Sequence, residues 1–139
     1  MAMRFFTLEE ATALLPRLAE MIQASQDLRD EAAVKKAQID RLWQRLEGGE
    51  PLLSALGEEQ RKFDAITEEL VSIVQETEAM GCILRDLDTG LIDFPFRASG
   101  SVTVYLCWRR GEPAIAFWHG IGEGYAGRKP IVRLPRDST

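Results

Sequence analysis

The chain has 139 residues, of which 45% are hydrophobic and 28% charged, and its net charge is −5. That length is near the usual size of one domain and can bury a core without metal or disulfide staples, while the apolar content excludes a disordered chain. The longest purely apolar run, Ala114 to Trp118, falls far short of the ~20 residues that cross a bilayer; the opening residues hold no secretory-length apolar run, and Cys82 and Cys107 form no CxxC pattern, so a cytoplasmic protein with two free thiols and no membrane partner is expected.

Thr7-Leu8-Glu9-Glu10 fits a capping box, in which the Thr7 hydroxyl accepts from the Glu10 amide and the Glu10 carboxylate accepts from the Thr7 amide. From there Ala11, Leu14, Leu18, Met21, Ser25, Leu28, Ala32, Lys35, Ile39, Leu42 and Leu46 recur at alternating steps of three and four. This is a heptad seam, interrupted by the polar Ser25 and Lys35. Pro16 removes one backbone hydrogen bond and crowds the Thr12 carbonyl, which predicts a kink or a restart in the early turns. Gly48-Gly49 closes the seam.

A second seam, Phe63, Ile66, Leu70, Ile73, Thr77 and Met80, stops at Gly81, a natural left-handed C′ residue. The residues between Gly48 and Gly57 leave room to reverse direction, so the two seams predict an antiparallel helical hairpin. Leu15, Ile22, Val34 and Trp43 flank the first seam, and Val71 and Val74 the second. Such a flank needs another surface, either the chain's own sheet or a second copy. A helix of ~35 residues is ~50 Å long, more than short strands can cover. A homo-oligomer joined through the hairpin, most simply a dimer, is therefore expected.

After Gly81 the period becomes that of strands. Cys82 to Leu87, Leu91 to Phe96, Val102 to Trp108 and Ala114 to His119 read as strands, with Pro95 marking an edge or a bulge. The last two make a hairpin through Arg109-Arg-Gly-Glu112, and Ile131-Val132-Arg133-Leu134 reads as a final strand. On the third strand Val102, Val104, Leu106 and Trp108 share one face, and Thr103, Tyr105 and Cys107 the other.

Gly122-Glu-Gly124-Tyr-Ala-Gly127 is formally GxGxxG, but Pro130 arrives too soon for a helix to follow, as a dinucleotide site requires. A tight turn or close packing explains the glycines better, and no cofactor is predicted. His119 is the chain's one histidine, with Cys107, Glu112, Asp93 and Asp86 near it in the inferred meander. A mixed Cys/His/carboxylate metal site is one reading, with Cys107 and His119 its weak candidates because no two ligands show a motif spacing. The other is a strand-end histidine bonded to backbone, and in a plain hairpin Cys107 and His119 can fall on opposite faces. Trp108, Trp118, Tyr105, Phe117, Phe94 and Phe96 serve either as core or as the lining of a pocket. Residues 1–81 carry a charge of −7 and residues 82–139 one of +2. Arg109, Arg110, Arg128, Lys129, Arg133 and Arg136 form only a loose basic cluster, which argues against a nucleic-acid partner.

The blocks Phe6-Thr-Leu-Glu-Glu-Ala-Thr-Ala-Leu-Leu-Pro16, Gly90-Leu-Ile-Asp-Phe-Pro95, Tyr105-Leu-Cys-Trp-Arg109, Gly111-Glu-Pro113, Ala116-Phe-Trp-His119 and Gly124-Tyr-Ala-Gly-Arg128 together resemble a bacterial family named only as domain of unknown function family 2203. The resemblance carries no assigned activity. It directs attention to Asp93, Cys107, Trp108, Glu112, His119 and Arg128, which stand in the family's motif positions. An acidic residue tends to follow the histidine in that motif, where this chain has Gly120.

The sequence thus predicts an α+β fold in one domain: a coiled-coil-like helical hairpin over 7–81, then a small antiparallel β-meander with a glycine-rich tail over 82–139. Function is unknown at this level. An oligomeric assembly or adaptor protein without catalysis is the first reading. A small-ligand or metal-dependent enzyme working from the sheet and tail is the second, and anion or nucleic-acid binding by the arginine cluster the third.

Overall fold

The computed structural model describes residues 4–135. Helix α1 runs Leu8–Glu47 and helix α2 runs Leu53–Ala79. The capping box forms as the sequence predicts: the Thr7 amide donates to Glu10 Oε1 at 2.8 Å, and the Glu10 amide donates to Thr7 Oγ1 at 3.0 Å. At the far end of α1 the Glu50 amide donates to the Arg45 carbonyl and the Gly49 amide to the Leu46 carbonyl, a Schellman closure. No restart occurs at Pro16, and the helix is continuous through it. Leu15 and Leu18, both buried, anchor the chain on either side of the exposed proline. Helix α2 begins earlier than its seam, because Leu53 to Gly57 join it and Leu56 is buried.

The helices pair antiparallel, since Arg17 bonds Glu76 whereas Lys35 bonds Glu59. The polar Lys35 in the seam is thereby explained: its ammonium meets Glu59 at 2.7 Å with both side chains largely covered. No residue of either seam is exposed.

The chain divides into two compact units, one formed by residues up to Ile22 with those from Glu76 onward, the other by Gln23–Gln75. In the first, the described residues form one antiparallel sheet with strand order β1-β2-β3-β4-β5: β1 Ile83–Asp86, β2 Leu91–Arg97, β3 Thr103–Arg109, β4 Phe117–Gly120 and β5 Lys129–Pro130. One sheet face supplies Ile92, Phe94, Leu106 and Trp108 to a core completed by Phe6, Ala11, Leu15, Leu18 and Ile22. Phe6 meets Phe94 edge-on at 5.3 Å. Each such fully buried large side chain contributes about 1.5–3 kcal/mol. Two of the flanking residues, Leu15 and Ile22, are therefore covered within this unit.

Pro95 lies in an inner strand rather than on an edge, paired with Tyr105. It is tolerated because β1 pairs no further than Ile83 with Asp93, and beyond that the Pro95 carbonyl accepts from the Phe6 amide at 2.8 Å. A residue's N–H and C=O point to the same side of a strand, so the missing N–H removes no bond to β3. The last strand is Lys129–Pro130, and Ile131–Arg133 is a single 3-10 turn instead of the predicted strand. The Ile131 amide already donates to the Ala116 carbonyl, and the Leu134 amide turns back onto Ile131. β4 is also shorter than predicted. Ala114 to Ala116 stay outside it, because Glu112 folds the connection onto the end of β3.

In the second unit Ile39 and Leu56 are buried, while Val34, Trp43, Leu53 and Val71 are 48–70% exposed. Among the described residues no helix is long and apolar enough to cross a membrane.

Candidate functional site

The sheet face turned away from the apolar core carries polar residues. Register decides which. Asp93 on β2 stands opposite Cys107 on β3, and Tyr105 on β3 stands opposite His119 on β4. Directly paired residues share a face, and Tyr105 and Cys107 are two apart, so Asp93, Cys107, Tyr105 and His119 all point the same way. The opposite-face arrangement left open by the sequence does not occur. One potential ligand atom each from Asp93, Cys107 and His119 lies within 4.8 Å of the other two, and all three residues are buried.

His119 is held at both ring nitrogens. Nε2 is 3.0 Å from both carboxylate oxygens of Asp93, and Nδ1 is 2.9 Å from the Gly120 carbonyl oxygen. Asp93 also accepts from Arg85 Nε at 2.8 Å, and this contact holds the guanidinium above its ordinary pKa. Arg85 is the extra residue of a β-bulge in β1, between Leu84 and Asp86. Bulges recur beside functional sites because they re-aim a side chain. Burial pushes the Cys107 thiol up to about 12, the charge of Asp93 adds to this, and Arg128 opposes it. A thiol so raised is no nucleophile by itself.

Glu112 and Arg128 form the neighbouring pair. Arg128 Nη2 donates to both Glu112 oxygens at 2.8 Å, and the guanidinium lies over the rings of Phe117 and Tyr125 at 4.1 and 4.6 Å. Its Nε is buried without a partner. Trp108 belongs to the opposite face, and its indole donates to the Glu112 carbonyl at 2.9 Å, fixing the loop that carries the carboxylate. Of the six residues singled out by the sequence, three converge, two pair beside them, and Trp108 supports from behind. Asp86 stands apart at the β1–β2 turn, accepting from Thr89 at 2.7 Å.

The glycine-rich segment forms a tight turn, with Gly122 and Gly124 at φ +85° and +66°, values that side chains disfavour. Glu123 caps it, accepting from the Gly120 amide and from Lys129. Together with the sheet this turn borders a half-open cavity of about 280 Å³ lined by Arg85, Leu91, Asp93, Tyr105, His119, Gly122, Gly124 and Tyr125. Arg85 and Tyr125 were not singled out by the sequence. The available signal for Arg85 was a charged Arg85-Asp86 step in the middle of the apolar stretch Cys82 to Leu87. In the basic cluster Arg128 and Lys129 are engaged by carboxylates, and Arg136 lies outside the described residues.

A family model described as "Uncharacterized conserved protein (DUF2203)" matches residues 4–131, and the chain belongs to that family. No curated protein matches the chain, and no solved structure matches it.

Proposed function

We propose that this DUF2203 protein is an enzyme-like binder of a small polar molecule, working on the outer face of its sheet under the glycine-rich turn. One observation carries the reading: three strands deliver buried Asp93, Cys107 and His119 to one spot, and Asp93 and His119 form part of the wall of a cavity. Burying polar groups is costly unless they are hydrogen-bonded or paired, and titratable side chains gathered at a concave surface are the usual mark of a functional site. The cavity volume, about 280 Å³, is near the lower end of ordinary ligand cavities, so a small metabolite fits better than a dinucleotide. Arg85, Tyr105 and Tyr125 supply a cation and phenol groups for a ligand bearing a carboxylate or phosphate. Two free cysteines suit a reducing compartment such as the cytoplasm. Thermal-shift measurements with small carboxylates, phosphorylated metabolites and nucleotides test the reading. Stabilisation by one class, weakened at least roughly tenfold in apparent affinity by Arg85→Ala, supports it. No stabilisation by any compound overturns it.

The assembly reading rests on a different observation, the exposure of Val34, Trp43, Leu53 and Val71 in the Gln23–Gln75 unit. A second copy of the hairpin would cover such residues. Sedimentation of the purified chain decides it: a dimer that Trp43→Glu dissociates supports the reading, and a clean monomer at micromolar concentration removes it.

A further inference from the structure

The two ring nitrogens of His119 face acceptors, and that geometry has a consequence. Beside a carbonyl oxygen Nδ1 can only donate, so the single hydrogen of a neutral imidazole belongs there. Nε2 then presents a lone pair to the Asp93 carboxylate, acceptor against acceptor at 3.0 Å. The arrangement calls for a cation between them, either a proton or a metal ion. Cys107 chooses between the two. A proton shared by imidazole and carboxylate has no need of a sulfur, whereas a soft metal ion does, and Cys107 Sγ lies within 4.8 Å of both partners.

We propose that Asp93, Cys107 and His119 are the protein ligands of a divalent transition-metal site, zinc by its donor chemistry, with the remaining coordination position open to the cavity. The proposal deepens the small-molecule reading above and rests on the same cavity. One sulfur, one nitrogen and one oxygen donor match the three-ligand pattern of zinc sites that keep a position for water or substrate. Calcium and magnesium take oxygen ligands and are excluded by the thiol and imidazole. The outer shell is in place. Nδ1–H donating to the Gly120 carbonyl fixes the ring so that Nε2 faces the metal, and Arg85 holds the second carboxylate oxygen of Asp93. Tetrahedral zinc sets sulfur and nitrogen ligands about 3.6 Å apart and nitrogen and oxygen ligands about 3.4 Å apart, so His119 Nε2 and the Asp93 carboxylate, now 3.0 Å from each other, must open slightly while Cys107 Sγ, within 4.8 Å of both, approaches by up to about an ångström. On binding, the Cys107 S–H bond breaks, its proton leaves to solvent, and the sulfur keeps the electron pair for the metal.

The test is titration of the metal-free chain with zinc against a chromogenic chelator, and with cobalt(II) followed by absorption. The expected result is equimolar binding, with a thiolate-to-cobalt charge-transfer band in the near ultraviolet. Cys107→Ser, checked for native circular dichroism, should lose the band and weaken zinc binding roughly 100-fold, at least the upper end of what losing an outer-shell partner costs. Absence of equimolar binding, or a cobalt spectrum without that band, overturns the proposal, as does unchanged affinity in Cys107→Ser. The two readings fail separately. Small molecules that stabilise a chain which takes up no metal leave the cavity reading standing, and metal uptake without any small-molecule effect leaves only the metal site.

Discussion

Glu112 and Arg128 show what a single buried contact contributes to this site. Their side chains are 18% and 9% exposed, and both carboxylate oxygens accept from one guanidinium nitrogen. Removing Glu112 strands the Arg128 guanidinium against the Phe117 and Tyr125 rings, and removing Arg128 leaves the partly buried Glu112 carboxylate with the Arg109 amide but no counter-charge. Breaking a pair this way costs about 3–5 kcal/mol when burial is complete and somewhat less here. Glu112→Ala and Arg128→Ala should each destabilise by about 2–4 kcal/mol in urea unfolding. The double variant should cost less than their sum by at least about 1 kcal/mol, as contacting residues do. Cys82 gives a pH-dependent counterpart. Burial raises its thiol to about 11 from an ordinary 9.0, while its sulfur donates to the Thr77 carbonyl at 3.2 Å. Between those pH values the unfolded chain has lost the proton and the native chain keeps it, so the native state binds more protons and stability falls as pH rises. The urea midpoint should drop between about pH 8 and about pH 10.5, and by less in Cys82→Ser. Residue types at the site were legible in the sequence: Asp93, Cys107 and His119 are unusual in apolar strands. Their convergence was not, because a one-residue slip between β3 and β4 would have sent His119 to the other face.

Elements follow local signals where those signals are strong. The capping box, both seams and the stop at Gly81, where φ is +98°, form as the sequence indicates, because backbone bonding at helix ends is decided by a few adjacent residues. Segments that depend on distant partners are less readable. Ile131-Val132-Arg133 has strand-forming residues yet turns, since β4 begins only at Phe117 and, past the bond from the Ile131 amide to the Ala116 carbonyl, offers no strand to pair with. Arg85 was passed over for a similar reason, as a bulge becomes visible only once two strands are paired. Pro16 permits a test at this scale. A proline inside a helix costs about 3 kcal/mol relative to alanine, yet α1 continues through it with the ring exposed. Pro16→Ala should therefore raise the stability by about 1–3 kcal/mol, read as a higher thermal midpoint with unchanged helix content. A lower midpoint would mean that the proline itself shapes the packing of Leu15 and Leu18.

At the scale of the molecule, the boundary between units does not follow the boundary between helix and strand. The sheet unit draws its first segment from residues up to Ile22 and its second from Glu76 onward, with the whole of Gln23–Gln75 between them in the chain. The apolar face of the sheet is covered by residues from the first segment: Phe6 against Phe94, with Ala11, Leu15, Leu18 and Ile22 buried in the same unit. Without that segment Ile92, Phe94 and Leu106 would face water. Each would forfeit about 1.5–3 kcal/mol, in a domain whose net stability is ordinarily about 5–15 kcal/mol. A fragment starting at Glu76 contains every strand and every side chain of the candidate site, yet it should not fold. Its proton NMR spectrum should lack dispersed methyl signals, and it should bind neither zinc nor any ligand of the full chain. Supplying residues 1–22 as a separate peptide should restore dispersion only weakly, because the intact chain holds that segment at high effective concentration. A folded, well-dispersed Glu76 fragment would show instead that the sheet is stable by itself, and that the N-terminal segment is a cover rather than half of the core.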